Sequence, residues 1–344
     1  VCIRLRDYVG ILPKPQRADP EASTVSEVKL GINLWSQASD WPSFLAAGTR
    51  AEELGYDSLW TWDHIYAIFG DPHQPIFEGY AALAALAQAT SRIQLGLFVG
   101  ANTFRNPGLA VKSLTTIDHV SGGRAVMGIG GAWFEGEHTA FGIDFGSGFG
   151  QRLDWLEESV AAIRTLLDGG VVTSAPGGRY AFDELRISPP PVQAHVPIMI
   201  GGGGEKKTLR IVAQYADIWN VFGSPETVAR KDGILREHCA AVGRDPEAIE
   251  RTLGFKPTIR RTAAEAERAW LDVLEKNRTP TSRMEGDVSV WTGTPEQIAE
   301  TMLAYRKVGF HTFVAELAAP YDTETLETLI NVVKPMVEEA SVTA

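Results

Sequence analysis

Cysteine is nearly missing from this chain of 344 residues: there are two, Cys2 and Cys239, far apart and in no redox or metal-binding spacing. A disulfide framework is excluded, and a reducing, cytoplasmic setting is the expectation. Basic charge is also short. Lys and Arg number 32 against 43 Asp and Glu, a net charge of −11. That argues against nucleic acid as a partner, because neutralising phosphates needs clustered cations. No apolar run approaches the roughly 20 residues that a membrane helix needs, so no membrane association is expected. Arg4, Arg6 and Asp7 open the chain with no apolar segment after them, which is not the pattern of a secretory leader.

Several catalytic signatures are missing as well. There is no G-x-S-x-G for a serine nucleophile and no G-x-x-x-x-G-K-[ST] phosphate loop. Gly128-Ile129-Gly130-Gly131 is no dinucleotide fingerprint, since Trp133 stands where the last glycine belongs. Metal chemistry finds weak support: Glu135, Glu137 and His138 are ligand types, but without HExxH spacing. A glycosidase needs two placed carboxylates, and only Asp63 offers itself.

What is present is a 44% hydrophobic composition and a regular alternation of strand and helix patterns. Short apolar runs such as KLGINLW (29–35), RIQLGLFV (92–99), RAVMGIG (124–130) and PIMI (197–200) read as strands. Between them, apolar residues recur at helical spacing: Phe44, Ala47, Ala51 and Leu54; Ala110, Leu114 and Ile117; Leu153, Leu156, Val160, Ile163 and Leu167; Ile298, Met302 and Tyr305. Gly55 is a helix stop, Ser224-Pro225 a helix start, and Thr294 to Gln297 a capping box. About eight strand–helix units predict a parallel sheet closed into a (β/α)8 barrel, a TIM barrel, over residues 29–340. Residues 1–28, with Pro13, Pro15 and Pro20, read as an extension. Additions to the barrel are expected at 131–150 (a long glycine-rich loop), 171–191 (a β-hairpin) and 263–287 (a helix and a polar loop). No internal repeat is evident.

Two stretches carry chemistry. Tyr56 to His64 reads as a buried strand ending in Asp63-His64, an ionisable pair where barrels keep their active sites; a plain satisfied turn is the competing reading. Gly201-Gly202-Gly203-Gly204 lies between a strand and a helix, where glycines admit a ligand to the backbone and free N–H groups favour an anion. Lys206 and Lys207 follow it, and read as solvated.

Taken together, AEELGYDSLWTWDHI, the run from RIQLGLFVGANTFRN to GIGGAWFEGEHTAFGIDF, VPIMIGGGGEKKTLRIVAQYADIWN and TGTPEQIAETMLAYRKVGF resemble, in order and spacing, the bacterial luciferase-like superfamily, in particular its coenzyme F420-dependent oxidoreductases. The resemblance runs from Lys29 to about Pro335. It implies a barrel holding a deazaflavin at the carboxyl ends of its strands, with a small molecule as substrate and, as the one assembly entertained, a homodimer. Asp63 resembles the family acid near the cofactor ring and His64 its proton-transferring histidine. Phe98-Val99 falls at a non-proline cis peptide behind the ring, and Thr103, Phe104, Arg105 and Asn106 match the loop beyond it. Gly203 and Gly204 match donors to the cofactor phosphate; Gly100, Asn102, Gly131, Gly201 and Gly202 complete the implied cofactor contacts. The sugar-phosphate dehydrogenases of the family carry glutamate where Gly131 stands, so their substrate class is not carried over.

The leading expectation is therefore an F420-dependent oxidoreductase, with hydride transfer at C5 of the deazaflavin, His64 moving the proton and Asp63 positioning it. An FMN-dependent monooxygenase on the same fold is the alternative, and a non-catalytic flavin-binding protein the third reading.

Overall fold

The computed structural model describes residues 27–342 except 175 and 176, so almost all of the expected N-terminal extension lies outside the described residues. Eight parallel strands form the barrel: β1 (Lys29–Leu34), β2 (Ser58–Thr61), β3 (Gln94–Leu97), β4 (Ala125–Gly130), β5 (Ile198–Gly201), β6 (Ile218–Val221), β7 (Glu250–Ile259) and β8 (Thr312–Leu317). They pair in sequence order, and closure comes from β8, which pairs β1 through Lys29↔Thr312 and β7 through Thr312↔Thr252. The strands are apolar on both faces because helices cover the outside while side chains fill the inside. β4 and β8 are buried along their whole lengths. Trp60, Phe98, Val126, Met199, Ile218 and Val314 pack together inside the barrel.

Local signals set the helix ends. Asp40 accepts from Ser43 N–H and starts helix Trp41–Leu54, and Gly55 ends it at φ 94°, a left-handed conformation that costs a glycine little. Thr294 and Gln297 form the expected capping box of helix Pro295–Arg306. The apolar faces read from the sequence are buried, Leu54 alone among those residues being half-exposed.

Four expectations are corrected. The segment 131–150 is not a plain loop: helix Glu135–Phe141 lies within it, too short to show a period, and ends at Gly142 with φ 67°. Among the described residues the segment 171–191 makes one antiparallel bridge, Val172–Leu185, rather than a regular hairpin: Glu184, beside the bridge, takes a left-handed φ of 47°. The helix after the four glycines begins at Thr208, not Glu205, after an intervening turn. Past helix Ala263–Lys276, strand Val290–Gly293 follows the polar loop and pairs with Lys256–Ile259, the upper half of β7. That helix brings Trp270 and Leu274 onto Trp35 and Trp62, closing one side of the barrel mouth.

Candidate active site

Asp63 lies two residues beyond β2, and its side chain is fully buried. Both oxygens are taken by Arg105, Nη1 to Oδ2 at 2.7 Å and Nη2 to Oδ1 at 2.8 Å, and Oδ2 also accepts from Ala101 N–H at 2.8 Å. Arg105 reaches Glu78 as well and lies over the Tyr80 ring. Burial works to lower the guanidinium pKa; the Asp63 carboxylate outweighs it and holds the pKa above the usual value. Of the two groups Asp63 was expected to orient, a cofactor ring N–H or His64, it makes no hydrogen bond to His64 among the described residues. Arg105 and Ala101 N–H engage both of its oxygens.

The carboxylate on His64 belongs to Glu137. Its Oε1 is 2.8 Å from His64 Nδ1, and its Oε2 accepts from Ile65 N–H at 3.0 Å. A carboxylate only accepts, so Nδ1 carries the proton, and the imidazole lines the cavity. Trp62 and Trp133 stand edge-on to the imidazole, at 6.0 and 5.7 Å between ring centres. His138, next on the same helix, turns the other way. Its Nδ1 donates to Phe134 O at 2.7 Å, and its Nε2 accepts from Thr103 Oγ1 at 2.6 Å. Burial pushes its pKa below the ordinary histidine value. Glu137 and His138, noticed in the sequence as ligand types, thus serve as a histidine orienter and a buried brace. Glu135 is exposed.

A backbone wall faces this pair. The Phe98–Val99 peptide is cis, as the resemblance implied. Val99 lies against Gly130 and Gly201: a Cβ on either glycine would come within 2.8 Å of Val99 Cγ2. Gly100, Gly131, Gly201 and Gly202 line the cavity with Phe98 and Val99. Asn102 stands apart, in a recess beside Asp63, where its Nδ2 is buried without a partner among the described residues. Gly203 and Gly204 lie past the cavity wall. Among the described residues neither N–H has a hydrogen-bond acceptor, while Gly203 O accepts from Lys231. Lys207, still partly exposed, reaches Gly150 O and pairs with Asp154 at the surface.

The cavity measures about 390 Å³. Its wall also includes polar residues that the sequence reading missed: Asn220 on β6, Lys256 on β7 and Glu316 on β8. Each sits at the carboxyl half of a barrel strand, the one sequence signal that could have found them.

The luciferase-like monooxygenase family model matches residues 21–312. The chain belongs to the luciferase-like monooxygenase family. An uncharacterised protein of Mycobacterium tuberculosis is 30% identical to this luciferase-like chain over 253 residues, 67% of this chain and 85% of that one. The F420-dependent glucose-6-phosphate dehydrogenase of Amycolatopsis mediterranei is 33% identical over 169 residues, 48% of each chain. Among solved structures, an F420-dependent secondary alcohol dehydrogenase in complex with an F420–acetone adduct superposes with a TM-score of 0.77 at 19% identity, over 91% of this chain and 99% of that one. At that identity the likeness shows the barrel fold. Relatives of this luciferase-like protein thus include F420-dependent enzymes.

Proposed function

We propose that the protein is an F420-dependent oxidoreductase acting on a small organic substrate. The observation that carries the reading is the His64–Glu137 pair at the cavity wall: an imidazole fixed through Nδ1, with Nε2 free to take a proton from a substrate hydroxyl or return it. The residues present fit a flat, anionic cofactor. The glycine wall allows close approach, the Asn102 amide is a buried donor in want of an acceptor, and Gly203 and Gly204 offer unused N–H groups. Asn102 would hold the ring side of the cofactor and the glycine turn its phosphate. When bound, the deazaflavin supplies a hydride acceptor or donor at C5. His64 holds the matching proton at Nε2, Glu137 stabilises the imidazolium so formed, and Trp62 and Trp133 shield the ring from bulk water.

Titration of the purified protein with F420 and, separately, FMN tests the reading through the absorption and fluorescence of each. Saturable F420 binding, with FMN bound at least about tenfold more weakly, supports it. Tight FMN binding without F420 binding overturns it in favour of a monooxygenase. Tight F420 binding with no turnover over a broad panel of alcohols and carbonyl compounds overturns the catalytic part and leaves a binding protein.

A further inference from the structure

We propose that Lys256 and Glu316 recognise an uncharged substrate through a hydroxyl group remote from its reacting carbon. The inference rests on the reading of this cavity as a substrate site and names the substrate class.

The two residues stand side by side on neighbouring strands, one step beyond the last paired residues, Phe255 and Ala315. Both line the cavity, and both side chains are largely buried. In the ring of strands β8 is four places from β4, so Glu316 lies across the barrel from Gly130 and Gly131. A flat cofactor against the glycine wall leaves this opposite wall to the substrate.

Glu316 is half used. Its Oε2 accepts from Asn33 Nδ2 at 3.1 Å, Trp35 Nε1 at 3.2 Å and Trp62 Nε1 at 3.3 Å. Its Oε1 lies 3.7 Å from Lys256 Nζ, an ion-pair distance but too long for a hydrogen bond. Lys256 has three protons. One goes to Asp287 at 3.1 Å and one to Ser289 Oγ at 2.7 Å, whose own hydroxyl donates to Asp287 at 2.6 Å. Burial works to raise the Asp287 carboxyl, but Lys256 and Ser289 together hold it below the ordinary aspartate range. One donor on Lys256 and one acceptor on Glu316 remain. An oxygen placed ~2.8 Å from each spans them; a hydroxyl, or a water that it would displace, accepts from Lys256 while donating to Glu316. A carboxylate or phosphate only accepts, and would set its charge against Glu316.

The charge balance points the same way. Arg105 neutralises Asp63, and Lys256 is shared between Asp287 and Glu316, so with Glu137 the cavity lining stays net acidic. Around the pair the surfaces are aromatic: Trp35 stacks on Trp62 at 4.5 Å, and Lys256 lies over Phe222 at 5.4 Å. A carbon frame bearing one remote hydroxyl matches both features.

Calorimetric titration of the full chain, with and without F420, against cyclohexane-1,4-diol, cyclohexanol and 4-hydroxycyclohexanecarboxylate tests the proposal. The expected order is diol first, cyclohexanol about tenfold weaker and the carboxylate weakest. In Glu316→Gln and Lys256→Met the diol advantage falls below about threefold, and Glu316→Gln also relieves the penalty on the carboxylate. If Glu316→Gln fails to fold by circular dichroism, Lys256→Met decides. A wild-type protein that binds the carboxylate as well as the diol, variants with unchanged preferences, or no saturable binding of any probe overturns the proposal. A structural ion pair would lower melting temperature in the variants without altering the order of the probes. Failure to bind F420 with the diol preference intact overturns the cofactor reading alone; F420 binding without the preference overturns this proposal alone.

Discussion

His64 and Glu137 are 73 residues apart in sequence and 2.8 Å apart in space. The carboxylate holds the imidazole through Nδ1 and is itself fixed by Ile65 N–H, so the strand end and helix Glu135–Phe141 are tied at the site of the proposed proton transfer. His64→Ala is expected to cut turnover by roughly 10²–10⁴-fold while leaving cofactor affinity within a few fold. Glu137→Gln keeps an acceptor for Nδ1 but removes the charge, so its loss should be smaller; Glu137→Ala, which removes both, should approach His64→Ala. Steady-state kinetics with the identified substrate, beside cofactor titration, measure both quantities. Normal turnover in His64→Ala would remove it from the mechanism.

Breaking the buried Asp63–Arg105 pair should be costly. Removing one partner strands the other charge in the protein interior, a loss of about 3–5 kcal/mol. Asp63→Ala is expected to destabilise in that range, and it also orphans Ala101 N–H. Urea denaturation checks it. A change below 1 kcal/mol would mean that the ion pair behaves as an exposed one.

Gly201 and Val99 should be coupled. A methyl at Gly201 meets Val99 Cγ2 at 2.8 Å and Cγ1 at 3.1 Å. Gly201→Ala is expected to cost about 1–3 kcal/mol, as overpacked cores do. Val99→Ala in the same chain should recover part of that loss. A double-mutant cycle by thermal melting reads the coupling; strictly additive losses would argue against the contact.

Acid should weaken the fold before the carboxylates titrate. Burial lowers the His138 pKa, aided by Arg152 and His64 and opposed by Phe134 O and Glu137; burial and Arg306 lower that of His311. A folded-state pKa below the unfolded one means that the unfolded chain binds more protons, so stability is full above about pH 6.5 and falls below it. The urea midpoint at pH 5.5 should lie under that at pH 7.5, and His138→Gln should flatten part of the difference. An equal or higher midpoint at pH 5.5 would contradict this.

Much of the site could be read directly from residue order. Asp63-His64 and the glycine turn were visible because each occupies consecutive positions at a strand end. Glu137 was visible only as a carboxylate in a glycine-rich stretch, since nothing local says that its helix folds back on His64. Glu316 carried no signal beyond its place near the carboxyl end of a strand: its partners Asn33, Trp35 and Trp62 lie more than 250 positions away. Strand Val290–Gly293 was missed for the same reason, being four residues whose only support is the distant β7.

The sequence by itself determined the order of elements, the helix caps and the apolar faces, because these depend on φ preference, side-chain period and hydrogen bonds within a few residues. Barrel closure decided the rest. Pairing β8 with both β1 and β7 brings Glu316 beside Lys256 and across from the glycine wall, and burial there decides which carboxylate serves which cation. Such partnerships are energetic only at short range inside a low-dielectric interior, so they exist only once the chain has closed on itself.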